Sequence, residues 1–194
     1  MKNSDLDTKN AEPPADRLEP VLALMETDPD GALSALGNLI DQYPADARLH
    51  FMLGSLLAGL ERYPEAHTAM QKAVDLAPGY ALARFQLGFL ALTSGDAAGA
   101  RSVWQPLLDL PSEDSLNLFV RGLDAMSADH FDEAIGLLEA GIARNERVAP
   151  LNRNMALLVH EMRARLNPRH TEDKAVESDA HFLLKQYSFK DTRH

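Results

Sequence analysis

The feature that most constrains this chain is a set of small residues that recurs every 34 positions. The recurring alanines and glycines are Ala32, Ala66, Ala100 and Ala134, together with Gly54, Gly88 and Gly122. Apolar residues follow each alanine at four and eight positions, as Met70 and Val74 follow Ala66. That spacing predicts one apolar face of a helix. A fixed period of this length predicts a stack of similar helical repeats.

Each repeat is predicted to contain two helices joined by a short turn. Pro44 and Pro78 end the second helix, because proline removes a backbone donor and clashes with the preceding turn. Polar segments such as Ser94-Gly95-Asp96 separate the two helices, and connections this short favour antiparallel pairs. A glycine inside the first helix costs about 1 kcal/mol relative to alanine. Gly54 and its equivalents therefore predict a close approach of a neighbouring helix.

The predicted layout covers most of the chain. It comprises repeats at 13–46, 47–80, 81–114 and 115–148, and a closing helix that starts near Ala149 and ends before Pro168. A repeat domain at 13–166 is expected between a disordered N-terminus, 1–12, and a C-terminal linker with an apolar tail or helix, 167–194.

The repeat resembles the tetratricopeptide repeat. Leu53-Gly54, Ala66, Ala73 and Pro78 stand at that family's spacing, and Asp132-Glu133-Ala134-Ile135 is similar to the start of its second helix. The resemblance implies an all-α, right-handed α-solenoid of antiparallel helix pairs, with about four 34-residue repeats and a capping helix. It also implies that the first helices line a concave groove that binds a protein or peptide partner.

Three positions depart from the family pattern. Pro20 stands where glycine is expected, so the first helix is predicted to begin near Pro20 or to kink there. Pro106 is predicted to fall inside a second helix and to remove one backbone hydrogen bond. Arg121 replaces the leucine before Gly122, so the packing of that helix is expected to differ.

The resemblance assigns six residues to the groove. They are Phe51, Ser55, Phe85, Phe89, Phe119 and Leu123. Repeated phenylalanines could hold apolar side chains of a peptide, but phenylalanine at helical spacing is also typical of a buried core, and both interpretations stay open. Some members of the family hold a C-terminal carboxylate with a clamp of basic and asparagine side chains on the concave face. The corresponding positions of this chain are mostly apolar, which argues against such a clamp. The candidates for such a clamp, Arg17, Arg48, Arg153 and Asn154, lie near the two ends.

Composition and motifs favour a protein without catalysis. The net charge is −10, which disfavours nucleic acid, and there is no cysteine. His160-Glu161 begins a zinc-protease pattern, but Ala164 stands where the second histidine ligand is required. We therefore expect no catalytic residue, cofactor or metal site. The polar start of the sequence and the lack of a long apolar segment predict a cytoplasmic protein with no membrane partner.

The C-terminal tail is rich in apolar and aromatic residues. Phe182, Leu183, Tyr187 and Phe189 follow a polar linker, so they either form a capping helix or enter a groove. Exchange of tails between two chains would give a homodimer.

Two functions are compatible with these features. The first is a non-catalytic scaffold that binds a protein or peptide in the groove. The alternative is a dedicated cytoplasmic chaperone for secreted or membrane-active substrates, similar to the bacterial type III secretion translocator chaperones.

Overall fold

The computed structural model describes residue 13, residues 15–146 and residues 148–167. Within these residues the chain is helical and no strand occurs, which confirms the all-α class. The α-helices are α1 (Ala15–Thr27), α2 (Pro29–Gln42), α3 (Ala47–Gly59), α4 (Tyr63–Leu76), α5 (Ala81–Thr93), α6 (Ala97–Trp104), α7 (Ser115–Ser127), α8 (Phe131–Arg144) and α9 (Ala149–Leu166). A 3-10 helix, Gln105–Asp109, follows α6 directly. The expected disordered segment at 1–12 lies outside the described residues.

The helices begin where the 34-residue period places them. Helices α3, α5 and α7 start on the first residue of the second, third and fourth predicted repeats. The closing helix α9 starts at Ala149 and ends at Leu166, as expected from Pro168. The helix positions therefore confirm the period, while the domain limits at 13–166 remain a prediction.

The chain divides into two compact units, an N-terminal unit at 1–87 and a C-terminal unit at 88–194, with the boundary inside α5. The N-terminal core contains Val21, Ala32, Leu36, Leu39, Leu49 and Leu56. Fully buried side chains of the C-terminal unit include Trp104, Phe119, Leu123, Leu138, Leu151 and Met155.

The turns that join the two helices of a repeat share one backbone conformation. Glu61, Gly95 and Asp129 lie 34 residues apart, and all have left-handed φ angles, of 60°, 86° and 61°. In each turn the next residue donates its N–H to a carbonyl five residues earlier: Arg62 to Leu57 at 2.9 Å, Asp96 to Ala91 at 2.9 Å and His130 to Ala125 at 3.0 Å. This is the hydrogen-bond pattern of a Schellman cap, which ends a helix with its carbonyls satisfied.

The recurring small residues lie where the two helices of a repeat meet. All four recurring alanines have no exposed surface. A methyl group at Gly54 would lie 2.7 Å from Cγ of Met70, and one at Gly122 would lie 2.7 Å from Cδ2 of Leu138. At Gly88 the neighbour is the indole of Trp104, whose Cδ1 and Cε2 atoms would each lie 2.5 Å from the methyl group. The predicted close approach is confirmed, and the side chain four residues after each alanine fills most of the space.

Two expectations about proline are corrected by the structure. Helix α1 begins at Ala15 and contains Pro20, so a start near Pro20 is wrong. Pro106 does not lie inside an α-helix, because α6 ends at Trp104 and Pro106 is at the start of the 3-10 helix. Proline donates no backbone hydrogen bond, and in an α-helix its ring clashes with the carbonyl group four residues earlier, so α-helical hydrogen bonding does not continue through Pro106. The tighter 3-10 geometry continues the chain beyond this point.

Candidate peptide-binding face

The structure separates the six predicted groove residues into two sets. Phe51 and Ser55, one turn apart on α3, are partly exposed. Phe85, Phe119 and Leu123 are fully buried, and Phe89 keeps 8% of its surface. These four side chains pack within the protein and offer little or no surface to a partner in this conformation. A role for them in direct binding would require the helices to move, and it remains a prediction.

The packing of Phe119 shows why its position is buried. A methyl group at Gly141 of α8 would lie 2.6 Å from Cδ1 of Phe119, so the ring rests on the backbone of that helix. The equivalent position in the second repeat is Ala73, which is also buried. Phenylalanine at one repeat position therefore meets different surroundings in different repeats, and only Phe51 retains an exposed part.

Phe51 forms an aromatic pair with Tyr80. The ring centroids lie 5.2 Å apart with an interplanar angle of 49°, within the range of favourable tilted contacts. Tyr80 precedes α5, at the position where Asp46 and Asp114 cap α3 and α7. The tyrosine has no carboxylate for such a cap and provides a partly exposed ring instead. Sequence analysis missed Tyr80, although the interruption of this aspartate series was a usable signal.

Charged groups flank the aromatic pair. Nη2 of Arg48 donates to Oδ2 of Asp46 at 2.6 Å, and Nε donates to Oδ1 at 3.0 Å. Burial of Asp46 alone would raise the pKa of its carboxyl, but the hydrogen bonds and the positive charge of Arg48 outweigh it, so this pKa lies below the ordinary value. Burial raises the pKa of the Tyr80 phenol, with a smaller rise from Asp46 and an opposing effect of Arg48.

Phe51, Ser55 and Tyr80, with Arg48 beside them, form what we call the aromatic face. Its two rings offer apolar contact, and the Tyr80 phenol stays protonated at neutral pH and can donate one hydrogen bond. These groups suit the recognition of an apolar side chain with a nearby carbonyl. Recognition of that kind needs no cofactor.

Other predicted features have different outcomes. Phe182, Leu183, Tyr187 and Phe189 lie outside the described residues. Across residues 15–146 and 148–167 no group of three potential metal-binding side chains occurs. None of the described helices combines the length and the apolar character that crossing a membrane requires.

The helix pairs recur every 34 residues and have a buried alanine where the two helices cross. These features define a class of helical repeat protein, and known proteins of this class share the repeat. Residues 22–81 and 51–114 match the family model described as Tetratricopeptide repeat. The two matched segments together span residues 22–114, and the repeat of this chain is the tetratricopeptide repeat, whose helix pairs form a protein-interaction scaffold.

Individual relatives support this assignment. The human protein named Tetratricopeptide repeat protein 34 is 31% identical over 126 residues, which is 62% of this chain but only 22% of that protein. A structure of MamA, residue 41 to the end, from Desulfovibrio magneticus RS-1 is 16% identical, covers 89% of this chain and 92% of its own, and has a TM-score of 0.54. Pseudomonas aeruginosa PilF is 17% identical, with coverages of 79% and 76% and a TM-score of 0.56. At these identities the two structures support the fold alone.

Proposed function

We propose that this chain is a non-catalytic scaffold that binds a protein or peptide partner through the first-helix groove expected of its family. The aromatic face is the part of that groove that receives an apolar side chain of the partner. The observation that supports this assignment is the partly exposed Phe51–Tyr80 pair, with centroids 5.2 Å apart.

Burial of one apolar side chain at the aromatic face would supply part of the affinity for a peptide. Full burial of one leucine or phenylalanine side chain contributes about 1.5–3 kcal/mol. The rings already contact each other, and the Arg48–Asp46 ion pair limits the freedom of the neighbouring side chains. A surface ordered in advance loses less entropy on binding.

Selection of peptides on the full chain tests the proposal. Peptides enriched from a random library are synthesised, and their affinities are measured by fluorescence anisotropy for the wild-type chain and its variants. Phe51→Ala and Tyr80→Ala should each weaken binding roughly four- to twelvefold, because each removes half of the aromatic contact. Tyr80→Phe separates the phenol hydrogen bond from the ring and should have the smaller effect.

Leu22→Ala is the matched control for these variants. Leu22 lies in the same compact unit, is 52% exposed and loses a comparable apolar side chain. Its affinity should equal that of the wild-type chain. If Leu22→Ala and Phe51→Ala weaken binding equally, or if binding follows thermal stability alone, the aromatic face is not the binding surface.

The dedicated chaperone is the alternative proposal, and cytoplasmic location and tail-mediated dimerisation remain predictions beside it. A chaperone should keep a membrane-active client soluble on co-expression and should lose this effect with Phe51→Ala. Sedimentation of the chain with Phe182→Ser would test the dimer, which should dissociate if the tail joins the two copies.

A further inference from the structure

A second recess lies within the C-terminal unit, between α7 and the segment formed by α6 and the 3-10 helix. It encloses about 210 Å³. Trp104, Leu108 and Val120 form its apolar lining, and Arg101, Arg121 and Asp124 form its charged rim. We call it the Trp104 cleft. It shares no residue with the aromatic face.

The cleft arises where the sequence departs from its own repeat. Leu53 and Leu87 precede the recurring glycines of the second and third repeats. Leu53 packs against the N-terminal core, and Leu87 is buried. Arg121 takes the equivalent position in α7, and its side chain is exposed and lines the cleft. The leucine that packs inside the second and third repeats is thus replaced in the fourth repeat by an exposed arginine, which leaves the cleft unfilled.

Pro106 supplies the second departure. It ends α6 and starts the 3-10 helix, which leaves Leu108 at the cleft with 41% of its surface exposed. The buried Asn117 of α7 holds this segment through its Nδ2 group, which donates to the carbonyl oxygens of Leu108 at 3.2 Å and Leu110 at 3.0 Å. These bonds fix the wall of the cleft before any ligand binds.

The charges on the rim favour an anionic ligand. Arg101 forms an ion pair with Asp124, so these two charges compensate each other. Arg121 forms no ion pair or hydrogen bond with any residue that the structure describes, so among these residues the rim has one positive charge in excess. The whole chain has a net charge of −10, so the charge of the rim is opposite in sign to that of the chain. An acidic ligand can recognise this positive charge.

We propose that the Trp104 cleft binds an acidic peptide segment in which a bulky apolar side chain lies next to a carboxylate. The apolar side chain enters the cleft, and the carboxylate pairs with Arg121. Small-molecule sites typically enclose roughly 300–1,000 Å³, so the observed 210 Å³ is small for a cofactor. A cavity of about 150 Å³ accepts benzene, and the cleft therefore has room for one aromatic or aliphatic side chain.

Trp104 provides a direct readout, because it is the one tryptophan in the chain. Its fluorescence is titrated in the full chain with a blocked peptide, acetyl-Gly-Glu-Phe-Asp-Gly-amide. Two control peptides carry alanine for phenylalanine, or glutamine and asparagine for the acids. Binding should shift Trp104 emission. The control peptide with glutamine and asparagine should bind roughly two- to fivefold more weakly than the acidic peptide, as expected for an exposed ion pair. High salt should remove this difference in affinity.

Two variants test the cleft itself. Arg121→Leu restores the residue type of the other repeats, fills the space and removes the charge, so it should weaken binding at least tenfold. Leu108→Ala removes part of the apolar wall at an exposed position and should weaken binding without unfolding the chain. Phe51→Ala should leave this titration unchanged, which separates the cleft from the proposed aromatic face.

Several results would overturn this assignment. The first is that the acidic peptide causes no shift in Trp104 emission. The second is that the acidic peptide and the peptide with glutamine and asparagine bind equally at low salt. The third is that Arg121→Leu binds the acidic peptide as tightly as the wild-type chain. The cleft would instead hold the chain's own tail if Phe182→Ser alone changed Trp104 emission without peptide. Emission that depends on protein concentration would identify a second copy of the chain as the occupant.

Discussion

Replacing Gly88 with alanine is a sensitive test of how the helix pairs pack. A methyl group at this position would lie 2.5 Å from Cδ1 and from Cε2 of the Trp104 indole. The indole is rigid and buried, so it cannot move aside as a flexible side chain could. Overpacking of this kind typically costs about 1–3 kcal/mol. Alanine also gains about 1 kcal/mol of helix propensity over glycine, which leaves a net loss of up to about 2 kcal/mol.

Gly136→Ala is the matched control. Gly136 lies inside α8 of the same compact unit, and a methyl group there meets no atom within 4 Å. The substitution should therefore show the propensity gain alone, about 1 kcal/mol. The two identical substitutions should differ by about 1–3 kcal/mol in free energy of unfolding.

Urea denaturation followed by circular dichroism measures this difference, with Trp104 fluorescence as a second probe. The Gly88→Ala midpoint should lie below that of the wild-type chain, and the Gly136→Ala midpoint above it. Equal midpoints for the two variants would refute the close packing of Trp104 against Gly88.

Three further perturbations follow from the fold. Glu61→Gly should stabilise the chain by about 1 kcal/mol in denaturant titration, since a non-glycine residue is disfavoured at left-handed φ; an unchanged midpoint would contradict the φ of 60°. Asp46→Ala should lower stability by about 0.5–2 kcal/mol at neutral pH through loss of the α3 cap. Because the folded pKa of Asp46 is lowered, its contribution is complete above the unfolded value of about 3.9 and is lost as pH falls through the folded pKa, so wild type and variant should converge in acid. Ala100→Leu should cost about 1–3 kcal/mol by overpacking, and an unaffected melting temperature would show that the helix register is misplaced.

The sequence predicts the helix pairs well because their determinants are local and repeated. The buried alanines, such as Ala66, and the glycines that face the next helix recur every 34 positions in the sequence. The turn residues recur at the same interval. Pro106 was harder to interpret, since local rules allow either a defect within an α-helix or a change to a 3-10 helix. The choice depends on contacts such as that of Asn117 with Leu108, which join residues of different helices.

The candidate site was less predictable, because burial depends on what packs over a residue. Phe51 and Phe119 hold the same repeat position, yet Phe51 pairs with Tyr80 while Phe119 rests on Gly141. Periodicity alone cannot distinguish these surroundings. The Trp104 cleft had a sequence signal in the departure at Arg121, but its volume and its charge balance follow only from the positions of α6 and α7.

Hydrogen–deuterium exchange of the full chain, with and without a selected peptide, tests the central claim most directly. Binding at the aromatic face should slow exchange in α3 and around Tyr80, and Phe51→Ala should abolish this protection at the same peptide concentration. Protection confined to α4, or present equally in Phe51→Ala, would contradict a peptide-binding scaffold that uses its first-helix face.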